Sequence, residues 1–152
     1  MRYVFEEVSR RRIEQAMDDI RLADLKEWYA GTGTTDIPEH LSYVYDSAAY
    51  GKVAIGKDNE VLLAFGVDPW EPEVGNIWMF ATDTAERLAV SLHKEALKYL
   101  EEMQSLFPTL RALSDSRNTK HHRWLEWLGF SFIREESSGP FGLPFKLYTR
   151  RQ

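Results

Sequence analysis

Residues 118–130 constrain the fold of this chain more than any other segment. The segment begins with Asn118, a short polar side chain that can accept hydrogen bonds from the free N–H groups of a first helical turn. Four residues then recur at the spacing of one helix face: His121, Trp124, Leu125 and Leu128. Gly129 can adopt the left-handed conformation that stops a helix, and Phe130 can start a core strand. The segment therefore predicts a helix of about three turns followed directly by a strand.

The composition favours a globular protein that is neither nucleic-acid-binding nor membrane-spanning. The 152 residues, of which 43% are hydrophobic and 28% charged, predict a single domain over residues 1–152. A net charge of −5 argues against general binding of nucleic acid. No run approaches the roughly 20 apolar residues of a membrane span, and residues 1–5 do not resemble a signal peptide. The absence of cysteine excludes disulfides and thiolate metal sites, so we expect a cytoplasmic protein.

Hydrophobic periodicity predicts the elements along the chain. Their order is one strand, two or three helices, three strands, a helix, a strand, a helix and two strands. The clearest hairpin joins residues 52–56 and 61–67 through a polar turn at 57–60. Two prolines predict a loop over residues 68–73, followed by a buried strand at 77–81. A helix capped by Thr82 or Thr84 should run over about residues 85–103, with later strands at 110–113, 130–133 and 145–148. This order predicts an α/β fold with a mixed, mostly antiparallel sheet and helices on both faces.

The element order, together with residues 75–83, 118–130 and 139–145, resembles the GNAT superfamily of acetyl-CoA-dependent N-acetyltransferases. More narrowly, these segments look like a phage branch of that superfamily that includes the internal virion protein A of short-tailed phages. The resemblance covers the whole chain in element order and is most specific in its second half. It implies a GNAT-like fold, acetyl-CoA as cofactor, and a protein located in the cytoplasm of an infected bacterium or associated with the virion.

The resemblance also implies where acetyl-CoA binds. In a GNAT fold the fourth strand splays from the fifth, and acetyl-CoA enters the notch between them. Phe80, Ala81 and Thr82 would then lie nearest the thioester, and the following helix would offer its N–H groups to the pyrophosphate. Arg87 takes the first place of the pyrophosphate loop, and Asn118 corresponds to the polar residue near the cofactor.

The chain departs from the superfamily pattern in three respects. Val90 and Leu92 stand where the pyrophosphate loop has small residues that let the backbone approach a phosphate. Leu125 stands where many members have the tyrosine that protonates the leaving thiolate. His121 replaces a small residue.

Three titratable residues are candidates for catalysis. His121 could serve as a substitute general acid near the thioester, or simply pack on a half-buried helix face. Glu71 and Glu73, before the fourth strand, could attract an amine or relay its proton, or be solvated loop charges. His121 and His122 point about 100° apart on a helix, so we predict no metal site.

Two functions from different classes remain open at this stage. The first is an acetyltransferase that moves an acetyl group from acetyl-CoA to a primary amine of a small molecule or a protein. The second is an inactive GNAT-fold phage protein that acts in virion assembly, with a protein partner or by self-association through exposed aromatic residues.

Overall fold

The computed structural model describes residues 3–47 and 49–152, which build one seven-stranded sheet flanked by helices. The strands are β1 (Val4–Glu7), β2 (Tyr50–Ile55), β3 (Val61–Glu71), β4 (Val74–Ala81), β5 (Thr109–Asp115), β6 (Ser131–Ser138) and β7 (Leu143–Arg151). The helices are α1 (Arg10–Ala16), α2 (Leu22–Thr32), α3 (Ile37–His40), α4 (Ser42–Tyr45), α5 (Asp83–Glu86), α6 (Ala89–Leu106) and α7 (Thr119–Trp127). A single 3₁₀ turn, Met17–Asp19, follows α1.

The sheet is mixed, as the sequence predicts. Its strand order is β1-β2-β3-β4-β5-β7-β6, and every neighbouring pair is antiparallel except β4 and β5. Helices α1, α3 and α4 pack on one face, against a core that includes Val53, Trp78 and Phe80. Helices α6 and α7 pack on the other face, where Leu63 and Leu125 are buried. Alternate residues of β4 therefore belong to two different cores. No helix among residues 3–47 and 49–152 has the length and apolarity that crossing a bilayer requires.

The hairpin of β2 and β3 is confirmed, but the predicted loop over residues 68–73 is wrong. Strand β3 continues through Pro69 to Glu71, and only Pro72 and Glu73 separate it from β4. Pairing between β2 and β3 ends at Val67, so no strand among the described residues pairs with the outer edge of β3 from there on. The missing N–H of Pro69 faces this open edge, because the register makes Asp68 and Asn76 the hydrogen-bonded pair with β4.

The helix predicted after β4 is divided in two. Helix α5 ends at Glu86, and two residues separate it from α6, which begins at Ala89. The Thr82 side chain does not cap α5, because its Oγ1 donates to the backbone oxygen of Leu62 at 2.9 Å. Thr84 lies inside α5, where its Oγ1 donates to Asp19 Oδ2 at 3.3 Å. Thr82 therefore occupies the N-cap position of α5, as predicted, but its side chain makes no capping hydrogen bond, and Thr84 does not cap the helix.

Helix α7 is confirmed, with one correction at its start. Gly129 follows the helix with φ of 91°, and Phe130 is buried. The side chain of Asn118 does not accept from the first turn. Its backbone oxygen accepts there instead, from the N–H groups of His121 at 3.1 Å and His122 at 3.2 Å. The Asn118 amide is thereby free to enter the polar network described next.

Candidate active site

Strands β4 and β5 separate part of the way along their length. They pair only from Val74 to Ile77 on β4, against Thr109 to Ala112 on β5. Beyond these residues, the end of each strand continues without the other as a neighbour. We call this gap the β4–β5 opening; it is the splayed geometry that the resemblance implies.

The backbone of Met79 faces the β4–β5 opening. The N–H of Thr82 donates to Leu62 of β3 at 3.0 Å, whereas the N–H of Ala81 points the other way and donates to Asp24 at 2.8 Å. Because the direction of the N–H groups alternates along a strand, Met79 shares the direction of Ala81. Met79 also lies beyond Ile77, the last residue of β4 that pairs with β5. Its N–H and C=O groups are therefore available to a ligand in the opening.

A buried polar network joins the start of α2 to the end of β4. Asp24 accepts hydrogen bonds at 2.8 Å from the Ala81 N–H and from Asn118 Nδ2, and Arg21 Nη1 donates to it at 3.3 Å. The backbone N–H of Arg21 also donates to the Ala81 oxygen at 3.0 Å. Burial raises the pKa of Asp24, and the positive charges of His121 and Arg21 oppose this shift only in part. Asp24 thus binds the N–H of Ala81, which is the next N–H after Met79 on this edge of β4.

One turn further along α2, Glu27 orients His121. Glu27 Oε1 accepts from the Asp115 N–H at 2.8 Å and from Ser114 Oγ at 3.0 Å, and lies 3.4 Å from His121 Nδ1. Ser114 Oγ lies 2.9 Å from the same imidazole nitrogen. Burial opposes the charged imidazolium, but Glu27 and Asp24 outweigh this effect, so the pKa of His121 is raised. The other nitrogen, Nε2, is buried and has no hydrogen-bond partner among the described residues.

A cavity of about 270 Å³ lies between the start of α6 and α7. Its charged lining residues are Arg21, Glu86, Lys120 and Arg123. Glu86 pairs with Arg21 Nε at 2.6 Å and with Lys120 Nζ at 3.0 Å. Burial opposes the Glu86 carboxylate, but these two cations outweigh it and lower its pKa. Because three cations face one carboxylate, we call this space the basic cavity.

The basic cavity also includes apolar and backbone features. Ala81, Leu92, Trp124 and Trp127 contribute to its wall. Among the residues that the structure describes, no side chain caps the first turn of α6, so N–H groups of that turn are available near this cavity. An elongated ligand with negative charge at one end fits this combination.

A second cavity of about 220 Å³ lies on the α2 side of the sheet, and His121 and Glu27 belong to its wall. Its other polar or aromatic lining residues include Trp28, His40, Tyr43, Asp68, Asn76 and Trp78. Its lining includes no lysine or arginine among the residues that the structure describes. Since Glu27 and Asp68 supply two carboxylates, we call this space the acidic cavity.

The structure brings together only some of the residues predicted from the sequence. Ala81 lies at the β4–β5 opening, with Asn118 and His121 in the polar network behind it. Phe80 points away into the other core, 6.2 Å from the Trp28 ring centroid, and its side chain is fully buried. Thr82 is also buried, and its Oγ1 donates to the backbone oxygen of Leu62.

Three of the predicted residues lie outside the opening. Arg87 is exposed in the turn between α5 and α6. Glu71 and Glu73 are exposed at the turn before β4, whereas the β4–β5 opening at Met79 lies about 20 Å further along that strand.

Sequence reasoning missed Asp24, Glu27 and Asp68. One cue was available for the first two, since Asp24 and Glu27 lie three residues apart and so share a face of α2 with the buried Ala30. Two carboxylates on a partly buried face need partners, and these partners lie about 90 residues further along the chain. No local pattern indicates the position of Asp68.

Comparisons with known proteins agree on the fold. No family model and no curated protein matches this chain. An acetyltransferase of the GNAT family from Bacillus anthracis has a TM-score of 0.74 at 14% identity, covering 99% of this chain and 95% of that chain. A spermidine N-acetyltransferase variant from Vibrio cholerae has a TM-score of 0.70 at 9% identity, covering 97% of this chain and 94% of that chain.

A third similar structure, the acetyltransferase YncA from Salmonella typhimurium, was solved with its cofactor acetyl-CoA. It has a TM-score of 0.66 at 13% identity, covering 98% of this chain and 93% of that chain. At these identities the likeness establishes the fold alone, which is that of the GNAT acetyltransferases.

Proposed function

We propose that this chain is a one-domain, acetyl-CoA-dependent N-acetyltransferase that acts on a primary amine. One observation carries the proposal: the free backbone of Met79 lies in an opening between a basic cavity and an acidic cavity. The basic cavity suits an anionic acetyl donor, and the acidic cavity suits a cationic amine. The two reactants would meet at the opening from opposite faces of the sheet.

The residues of the basic cavity fit acetyl-CoA as donor. The C=O of Met79 would accept a hydrogen bond from an amide of the pantetheine arm, as the backbone of an adjoining strand does, and its N–H would remain for the thioester. Lys120, Arg123 and the first turn of α6 would hold the phosphates. The side chain of Val90 is 71% exposed and points to solvent, so it does not fill this space. Of the residues that the resemblance implies for the cofactor, Ala81 lines the basic cavity and Asn118 belongs to the network behind it. Thr82 is bound to Leu62, and Arg87 lies outside the opening.

The chemistry is a direct transfer between the two cavities. The amine nitrogen forms a bond to the thioester carbonyl carbon while the carbon–sulfur bond breaks. The N–H of Met79 would polarise the carbonyl oxygen. Glu27 would accept the proton that the amine loses, and the His121 imidazolium would donate a proton to the departing thiolate. Acetyl-CoA supplies the acetyl group, and the chain supplies position and proton transfer.

Calorimetric titration with acetyl-CoA, followed by an assay for released thiol with a panel of primary amines, tests the proposal. We expect saturable binding, and thiol release that depends on the amine. The variant His121→Gln should lower kcat about 100-fold with little change in acetyl-CoA affinity, because only proton donation is lost. His93→Gln is the matched control, since His93 lines neither cavity. No heat and no thiol release at millimolar acetyl-CoA would overturn the proposal.

The second candidate function, a phage assembly module, is favoured by exposed apolar side chains. Phe132 is 50% exposed and Ile133 48% exposed on the edge strand β6, and Phe141 is also exposed. Such an edge can bind a protein partner or a second copy of the chain. The phage context itself rests on the sequence resemblance. Analytical ultracentrifugation tests self-association: concentration-dependent dimers that Phe132→Ser abolishes would support this function, and a monomer with acetyltransferase activity would oppose it.

A further inference from the structure

We infer that the acidic cavity recognises a second cationic group of the acceptor, so that the substrate is a short diamine rather than a monoamine. The inference rests on the proposed function, because it names the acceptor of the same site. Asp68 and Asn76 would bind the second ammonium group, and Glu27 and His121 would act at the reacting amine.

The charge of the cavity favours a cation at both ends. Glu27 lies at the β4–β5 opening, where it accepts from the Asp115 N–H. Asp68 lies on β3 directly opposite Asn76 of β4, and its Oδ2 accepts from the Tyr43 hydroxyl at 2.6 Å. Burial raises the pKa of Asp68, while the Tyr43 hydrogen bond and the charge of His40 oppose this shift. An ammonium group beside Asp68 would compensate the cost of burying its charge.

The length of the acidic cavity along β4 fits a short chain between two nitrogens. Asn76 precedes Met79 by three residues, which is about 10 Å along a strand. The ion pair at Asp68 takes up about 3 Å of this length. The remaining length of about 7 Å suits an alkyl chain of about four or five carbons between the two nitrogens. A monoamine would fill only the end of the cavity near the opening.

The wall between the two ends is aromatic. Trp28 and Trp78 meet edge to face with ring centroids 6.4 Å apart, and both line the cavity. Aromatic faces attract cationic amines and pack against methylene groups. The wall therefore suits the body of a diamine as well as its charged ends.

Unpartnered polar atoms provide independent support for a bound ligand. Four buried side-chain atoms of cavity-lining residues have no hydrogen-bond partner among the described residues: Trp28 Nε1, Asn76 Oδ1, Trp78 Nε1 and His121 Nε2. Buried polar groups without partners are costly and rare, so their gathering in one cavity indicates a polar occupant. Asn76 Oδ1 is an acceptor for an ammonium group, and the indole N–H groups can donate to water held beside it.

Binding of 1,4-diaminobutane and 1-aminobutane, measured by tryptophan fluorescence without acetyl-CoA, tests the inference. Trp28 and Trp78 are the reporters. We expect the diamine to bind at least about tenfold more tightly than the monoamine. Asp68→Asn should abolish this preference and leave binding of the monoamine unchanged. Asp58→Asn, in the exposed turn before β3, is the matched control and should keep the preference.

The outcomes separate the inference from the proposed function. Equal affinities for the two amines in the unmodified chain, or a preference that survives in a folded Asp68→Asn variant, would overturn the inference. That result would leave acetyl transfer to other amines standing. Tight diamine binding without thiol release from acetyl-CoA would instead remove the proposed function and keep the diamine site.

Discussion

At the scale of residues, His121 and its neighbour His122 occupy opposite electrostatic environments. Glu27 and Asp24 face His121, and their charges raise its pKa against the effect of burial. Burial lowers the pKa of His122, and its Nε2 lies 3.0 Å from the Asp115 backbone oxygen. Protonation of these two adjacent residues therefore changes the stability of the fold in opposite directions.

This contrast predicts how stability depends on pH. The raised pKa of His121 means that its contribution to the free energy of unfolding is complete below the ordinary value of 6.5 and is lost as pH rises through the raised pKa. Urea unfolding between about pH 5 and 9 should show this loss, and His121→Gln should remove it. The raised pKa of Asp24 also lowers stability as pH rises, but this loss begins at the ordinary value of 3.8 and persists in the His121→Gln variant.

His122 is the internal control for this prediction. Because burial lowers its pKa, its contribution has the opposite sign: stability should rise as pH increases from this lowered pKa up to the ordinary value of 6.5. His122→Gln should therefore remove a rise in stability below pH 6.5 and leave the loss above pH 6.5, which His121 causes. Parallel pH profiles for the two variants would contradict the assignment of opposite environments.

The site is only partly predictable at the residue scale. Asn118 and His121 could be placed near the opening, because both belong to one recognisable helix. Asp24 and Glu27 could not, since their partners depend on which face of α2 covers the end of β4. The position of the Asn118 cap was right, but its side chain does not accept from the helix: Nδ2 donates to the buried Asp24 carboxylate, and Oδ1 accepts from Arg21 Nη2.

At the scale of elements, glycines let β3 approach the aromatic wall of the acidic cavity. A Cβ at Gly66 would lie 2.5 Å from the Trp78 ring and 2.5 Å from the Tyr50 backbone oxygen. A Cβ at Gly31 in α2 would meet only the Phe145 ring, at an ordinary 3.7 Å. The two positions therefore form a matched pair.

We predict that Gly66→Ala lowers the free energy of unfolding by about 1–3 kcal/mol and changes the tryptophan fluorescence, because Trp78 must move. Gly31→Ala should instead leave stability unchanged or raise it by up to about 1 kcal/mol, since alanine favours the helix. Urea unfolding monitored by circular dichroism measures both. A Gly66→Ala variant as stable as the unmodified chain would show that Trp78 does not pack as described.

The elements themselves follow from sequence more readily than their ends. Period-two and helical patterns predicted the hairpin of β2 and β3, and residues 118–130 predicted α7. The prolines misled the assignment of residues 68–73, because proline is excluded only where its missing N–H would face a neighbouring strand. The break between α5 and α6 has no local residue such as proline to mark it.

At the scale of the whole molecule, the sheet separates two cavities of opposite charge that meet where β4 and β5 diverge. The net charge of −5 does not reveal this, because the basic cavity gathers Arg21, just before α2, with two cations of α7 that are far away in sequence. The order of elements along the sequence predicted the fold. The opposite charges of the two cavities are visible only in the folded arrangement. The central claim is that the backbone of Met79 in this opening receives acetyl-CoA.

Amide hydrogen exchange of Met79, followed by NMR with and without acetyl-CoA, tests this claim most directly. Without ligand, the Met79 amide should exchange faster than those of Trp78 and Phe80, which donate to β3. Saturating acetyl-CoA should slow the Met79 exchange at least about tenfold and leave its two neighbours unchanged. A Met79 amide that is already as protected as its neighbours, or that millimolar acetyl-CoA leaves unchanged, would contradict the account.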